Sequence, residues 1–309
     1  MTKTYYLDYL QKSKEFCFKQ LIVKDIDNEP VKRYHRSKMK DVEYCLFHRE
    51  VLSGDVYLKI LNDYICANLK SKTAAPVVRF ADGEYAFYAK SLQCNGLYQQ
   101  AESVEAIRKA MPNHVKALKQ LEINGRYAPL IYPGNARPKK KHLFSFLSKK
   151  KEGDDSALMF LEFLRKHKIN LTGKNYLPFF VVYAYLTSEV FSKLVDGKKL
   201  CVVASEFNIE AFKAWFNRFS SCPEFVFAKI PERYMATQWG RIKENVLDEV
   251  PADTDLCLIG AGIGALLICV DVASEYKIPA IDAGHVLNMM NGREDKSGGA
   301  RLYTIRETN

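Results

Sequence analysis

The chain has 309 residues, 48% hydrophobic and 12% aromatic, a net charge of +10 and eight cysteines. That length and apolar content can bury a large core, which excludes a mainly disordered chain. The cysteines (Cys17, Cys45, Cys66, Cys94, Cys201, Cys222, Cys257, Cys269) form no CxxC pair, which speaks against a zinc site and for a reducing compartment.

The first residues, MTKTYYLDYLQKSKEF, are charged throughout, so no cleaved leader is expected and a cytoplasmic location is. Residues 1–70 repeat apolar side chains at mixed three- and four-residue spacing, as in VYLKILNDYICANL, which predicts an N-terminal helical region. From Pro76 the pattern changes. VVRFA (77–81) reads as a short strand, VEAIRKAMPNHVKALKQL (104–121) as a helix broken near Pro112, and YAPLIYPGN (127–135) as a strand ending in a turn.

RPKKKH (137–142) and SKKKE (148–152) then gather much of the basic excess around an apolar LFSFL. A solvated loop is the plain reading; a peripheral contact of 137–151 with a membrane, or with a phosphorylated acceptor, is the functional one. SALMFLEFLRKH (156–167) predicts an amphipathic helix, and YLPFFVVYAYL (176–186) is apolar without a clear period.

The last third alternates cleanly. KKLCVVASE, EFVFAKIP, DLCLIGAG and IPAIDAGH read as strands, separated by the helical stretches NIEAFKAWFNRF, TQWGRIKENVLDEV and ALLICVDVASEY. Parallel strands need helical crossovers, so the expected fold class is α/β: a Rossmann-like, mostly parallel sheet with helices on both faces. The longest uncharged run, at 256–270, is glycine-interrupted and too short to span a membrane.

Three groups of residues carry candidate chemistry. In VVRFADGEYAFY (77–88), Asp82 and Glu84 flank Gly83. Asp-Gly between apolar runs is a hairpin signal. Alternatively, a buried strand ends here and, if the chain stays extended, carboxylates two residues apart converge on one hard cation such as Mg2+ or Mn2+, with Gly83 leaving room for a diphosphate.

In the segment 255–285, Gly260, Gly262 and Ala265 fit G-x-G-x-x-A between strand and helix, and Asp282 follows at the next strand end. Such a turn suits NAD(P), a nucleotide-sugar diphosphate, or tight strand–helix packing. The third group is AIDAGH, which places His285 three residues after Asp282, where such sheets bind ligands. Glu206, after VVAS, either caps the next helix or touches a sugar hydroxyl. Gln99 could meet a ligand, and the tail with Arg293, Lys296 and Arg301 could form a lid or a solvated end.

RFADGE resembles the RFGDGE signature of the GT-D-type glycosyltransferases, and the segment 255–285 resembles that family's closing strand, glycine turn, helix and strand ending Asp-x-Gly-His. The likeness spans roughly residues 76–290 within a domain read as 71–309. It implies a metal-dependent transferase that moves a sugar from a nucleotide-diphosphate donor, a UDP-sugar being favoured, to a glycan or glycoconjugate in surface polysaccharide or glycoprotein assembly. Carried over, Asp82 and Glu84 would bind Mn2+ or Mg2+, with Arg79 and Gly83 in the same signature. Gly260 and Gly262 would form the nucleotide-side turn, and Asp282 and His285, with Glu206, the catalytic side of the cleft. Ala81 and the GAGIGA turn depart from the family pattern.

The alternatives are an NAD(P)-dependent oxidoreductase built on the GAGIGA turn and a basic binding domain. No nucleic-acid partner is expected.

Overall fold

The computed structural model describes residues 54–96, 98–130 and 157–293. The two basic stretches, the chain before residue 54, and the tail with Lys296 and Arg301 lie outside the described residues.

Six strands form one sheet: β1 (Ala75–Phe80), β2 (Arg126–Pro129), β3 (Lys199–Ala204), β4 (Glu224–Lys229), β5 (Leu256–Gly260) and β6 (Pro279–Asp282). Their spatial order is β2-β1-β6-β5-β3-β4, and every neighbouring pair is parallel. The expected α/β architecture is therefore what the chain adopts.

Helix α1 (Gly54–Ser71) precedes β1; α2 (Asp82–Tyr88) and α3 (Val104–Asn124) link β1 to β2; α4 (Ala157–Lys166), α5 (Phe179–Leu186) and α6 (Glu189–Leu194) lead to β3. Then α7 (Ile209–Asn217), α8 (Met235–Asp248) and α9 (Ala265–Tyr276) alternate with the remaining strands, and α10 (His285–Met290) follows β6.

Strands covered on both faces must be apolar on both, and β1 and β5 are. Val78, Phe80, Cys257 and Ile259 face a core lined by α2, α3, α4, α8 and α9. Val77, Leu256 and Leu258 face the opposite core, lined by α1, α5, α6, α7 and α10. Tyr57, Leu58, Leu61 and Ile65 of α1 belong to that second core, and α1 packs against α5 and against β1 and β6. This explains the absence of a period in FFVVYAYL: α5 is enclosed between sheet and α1 and is apolar all round.

The helix expected to break near Pro112 does not. Ser103 caps α3 by accepting from the Ala106 amide at 3.0 Å, and the helix runs through Pro112 to Asn124. Proline costs roughly 3 kcal/mol in a helix interior. The burial of Ile107, Met111, His114, Leu118 and Leu121 along one face outweighs it. Among the described residues, no helix is long and apolar enough to cross a membrane.

The connections position the site. The chain leaves β1 and β5 toward one face, into α2 and α9, and leaves β3 and β6 toward the other, into α7 and α10. Because β6 lies between β1 and β5, the loops diverge on both sides of it. Such divergence opens a crevice beyond the carboxyl ends of the strands.

Candidate active site

The buried parallel strand expected in VVRFADGEYAFY is present as β1, but neither the hairpin nor the extended carboxylate pair is. There is no hairpin, because β1 is an inner strand paired in parallel with β2 and β6. Nor does the chain stay extended past Ala81. Ala81 is the last extended residue, with φ −132° and ψ −163°, and α2 begins at Asp82. Residues two apart on a helix point in nearly opposite directions, so the carboxylates of Asp82 and Glu84 do not converge through the strand pleat.

Instead they have separate roles. Asp82 is exposed at the first helical position. Glu84, at the third, turns back so that one oxygen accepts from the Ala81 amide at 2.8 Å, the acidic half of a capping box. Burial lifts the Glu84 carboxyl to about 7, against the Ala81 amide that favours its charged form. Gly83 faces the glycine turn after β5: a Cβ there would lie 4.0 Å from Ile263 Cδ1.

Arg79 is not presented to the crevice. It is only 8% exposed. Its Nη2 donates to Asp282 Oδ1 at 2.7 Å, its Nε to the Asp282 carbonyl at 3.0 Å, and its backbone amide to Oδ2 at 3.2 Å. Nη1 donates to the Tyr183 hydroxyl, and the guanidinium lies over the rings of Tyr183 and Phe179, 4.5 and 5.2 Å from their centroids. Burial pushes the Asp282 carboxyl upward against the pull of Arg79. The pair ties the end of β1 to the end of β6.

Gly284 is part of the same lock. Its φ is +45°, and a Cβ would overlap Arg79 Nη2, so both the backbone and the guanidinium demand glycine in Asp-Ala-Gly-His. His285 follows as the first residue of α10, half-buried, with its ring centroid 5.7 Å from that of Tyr98.

The glycine turn is filled from within. Gly262 has φ +53°, and a Cβ there would come 2.5 Å from Gln100 Oε1, which accepts the Ile263 amide at 3.0 Å. Gly260 is closed by Leu287 and Gly264 by Met235, each with a side-chain carbon 2.5 Å from the virtual Cβ. These contacts account for the glycine spacing by packing. The amide that a dinucleotide fingerprint would offer to pyrophosphate already has an acceptor.

Glu206, after β3, is exposed and does not cap α7. Asn208 does, its side chain accepting from the Ala211 amide at 3.1 Å. Glu206 forms an ion pair with Arg293, and its carbonyl accepts from Asn291. Gln99 is held by Tyr234, whose amide donates to its carbonyl at 3.0 Å and whose hydroxyl donates to Oε1 at 2.9 Å.

The structure thus gathers Arg79, Asp82, Gly83, Glu84, Gly260, Gly262, Asp282 and His285 at the ends of β1, β5 and β6, with Glu206 at the end of β3. Sequence reasoning missed Tyr98, Gln100 and Tyr183. The one cue to Gln100 in the sequence is its place next to Gln99. Among the described residues, no three His, Cys, Asp or Glu side chains come together as a metal-holding group.

Comparison with curated proteins and with solved structures gives no match. A family model does match, over residues 148–290, and it is described as a GT-D fold-like domain. That span takes in β3 to β6 and the closing Asp-Ala-Gly-His, and leaves out β1 with RFADGE. Over residues 148–290 the chain is thus similar to the GT-D fold-like domain.

Proposed function

We propose that the protein is a glycosyltransferase that takes a sugar from a nucleoside-diphosphate donor, a UDP-sugar being favoured, and passes it to a hydroxyl of a glycan or glycoconjugate in surface polysaccharide or glycoprotein assembly. One observation carries the reading: in a chain with a GT-D-like domain, RFADGE at the end of β1 and Asp-Ala-Gly-His at the end of β6 meet through the buried Arg79–Asp282 pair.

The residues suit a divalent cation in a restricted way. Mg2+ and Mn2+ commonly take one or two carboxylates, with phosphate and water completing the shell. Asp82, exposed at the start of α2, would supply the first carboxylate. Glu84 would join it only in the charged form, which burial disfavours. When bound, Mn2+ or Mg2+ would neutralise charge on the departing diphosphate.

The other groups divide the work. Asp282 is a positioning residue, since its oxygens are engaged by Arg79. His285, beside Tyr98, is assigned to the donor nucleotide. Glu206, exposed at the end of β3 and ion-paired with Arg293, would be the carboxylate offered to an acceptor hydroxyl once Arg293 releases it.

The test is release of nucleoside diphosphate from a panel of nucleotide sugars by the purified chain with Mn2+. Release from at least one donor, lost in Asp82→Ala, supports the reading. A full panel without turnover, together with a rise in melting temperature on adding NAD(P), would replace it with the oxidoreductase.

A further inference from the structure

Three consecutive residues cross the carboxyl ends of the strands, each fastened to a different loop. Gln100 is inserted against the turn after β5, where it accepts the Ile263 amide. Gln99 holds Tyr234 ahead of α8 through two hydrogen bonds. Tyr98 lies against His285, after β6. The backbone of this strap is fixed further by Asn95, whose Oδ1 accepts the amides of Gln100 and Ala101 at 2.8 and 3.0 Å and whose Nδ2 donates to the Ala101 carbonyl at 2.8 Å.

Tyr234, the strap's partner, sits at φ +65°, an uncommon conformation for an aromatic residue, and its amide bond to Gln99 belongs to that turn. Gln99 and Gln100 spend their side chains on holding the segment. Tyr98 does not bury its ring: at 44% it is the one aromatic classed as exposed among the described residues, and it lies at the carboxyl ends of the strands. An aromatic ring next to the anchored Gln99 and Gln100 and left open beside the crevice is suited to a flat ligand group.

We infer that Tyr98 is the platform on which the heteroaromatic base of the donor nucleotide stacks, with His285 against the edge of the stack. The inference rests on the transferase reading above and adds the base-binding subsite to it. The diphosphate would then run from Tyr98 toward Asp82 and Gly83, across the turn that Gly83 faces at Ile263. Stacking on a tyrosine ring needs the ring and not its hydroxyl, so Tyr98→Phe retains the platform and Tyr98→Ala removes it. Because every base has a π face, the platform fixes the class of ligand and leaves the choice of base to other contacts.

The experiment is calorimetric titration of wild type, Tyr98→Phe and Tyr98→Ala, as full chains with Mn2+, using UDP, GDP, CDP and ADP, and using inorganic pyrophosphate as the base-free probe. For the nucleoside diphosphate that wild type binds, the expected result is a loss of affinity of about tenfold or more in Tyr98→Ala, affinity within about twofold of wild type in Tyr98→Phe, and the same response to pyrophosphate in all three. Tyr98→Trp gives a second readout: its fluorescence should be quenched by that nucleoside diphosphate and not by pyrophosphate. Tyr98→Ala binding it as wild type does, or losing affinity for it and for pyrophosphate alike, overturns the platform while leaving the transferase reading in place. Wild type that binds no nucleoside diphosphate overturns both.

Discussion

Removing the Asp282 side chain should destabilise the fold far more than removing an exposed carboxylate, and the structure sets the size of the effect. Arg79 and Asp282 are 8% and 5% exposed at the side chain and 2.7 Å apart. At an effective dielectric of about 20, that separation is worth about 6 kcal/mol of attraction. Burying two ions costs several kcal/mol each, so the intact pair contributes little net stability. Breaking it is another matter, because Asp282→Ala leaves a guanidinium buried with no counter-charge, which costs about 3–5 kcal/mol. Asp282→Asn keeps an acceptor for Arg79 and should cost less, about 1.5–3 kcal/mol for the lost charged hydrogen bond. Urea unfolding at pH 7 of wild type, Arg79→Met, Asp282→Ala and the double variant measures the coupling directly. The double variant should recover about 2 kcal/mol relative to the sum of the single changes. Single effects that add within about 0.5 kcal/mol would refute the pair as the tie between β1 and β6.

The same geometry makes other outcomes predictable. Gly284→Ala forces a Cβ onto Arg79 at a φ of +45°, and should lower stability by about 3 kcal/mol or more; a melting temperature equal to wild type would contradict it. Gln100→Ala leaves the Ile263 amide without its acceptor, which should cost about 1–3 kcal/mol and speed hydrogen exchange at that amide; unchanged exchange would show that Gln100 does not hold the turn. For Glu84 the folded chain holds its proton up to about 7, against an ordinary value of 4.5. Between those pH values the unfolded chain ionises this carboxyl and the folded chain does not, so its contribution to stability is fully present below about 4.5 and falls as pH rises to 7. Glu84→Gln keeps the cap and cannot ionise, so it should melt a few degrees above wild type at pH 8, with the difference closing below pH 4.5. A difference that widens on acidification would reverse the assignment.

The alternation of strands and helices over the last third was legible because each crossover needs a helix and each enclosed strand must be apolar on both sides. Strand order was not, since it depends on which neighbour buries which face. α3 ran through Pro112 because tertiary burial exceeded a local penalty. In the site, the positions of Asp82, Asp282 and His285 at strand ends could be read from sequence, whereas the partners could not. Period and motif carry no information that Arg79, 203 residues away in sequence, would occupy both oxygens of Asp282. Nor do they show that Gln100, 163 residues from Ile263, would fill a turn resembling a dinucleotide fingerprint. The capping role of Glu84 was concealed by the expectation of an extended chain, although a carboxylate at the third helical position is itself a helix-start signal.

The crevice beyond β1, β5 and β6 is proposed to bind a nucleoside diphosphate with a divalent cation held at Asp82. Calorimetry of the full chain against UDP, GDP, CDP and ADP, with Mn2+ and with EDTA, on wild type and Asp82→Ala, tests it most directly. At least one diphosphate should bind, with binding abolished by EDTA and weakened about tenfold or more in Asp82→Ala. Binding indifferent to both the cation and Asp82, or no diphosphate binding at all, would contradict it.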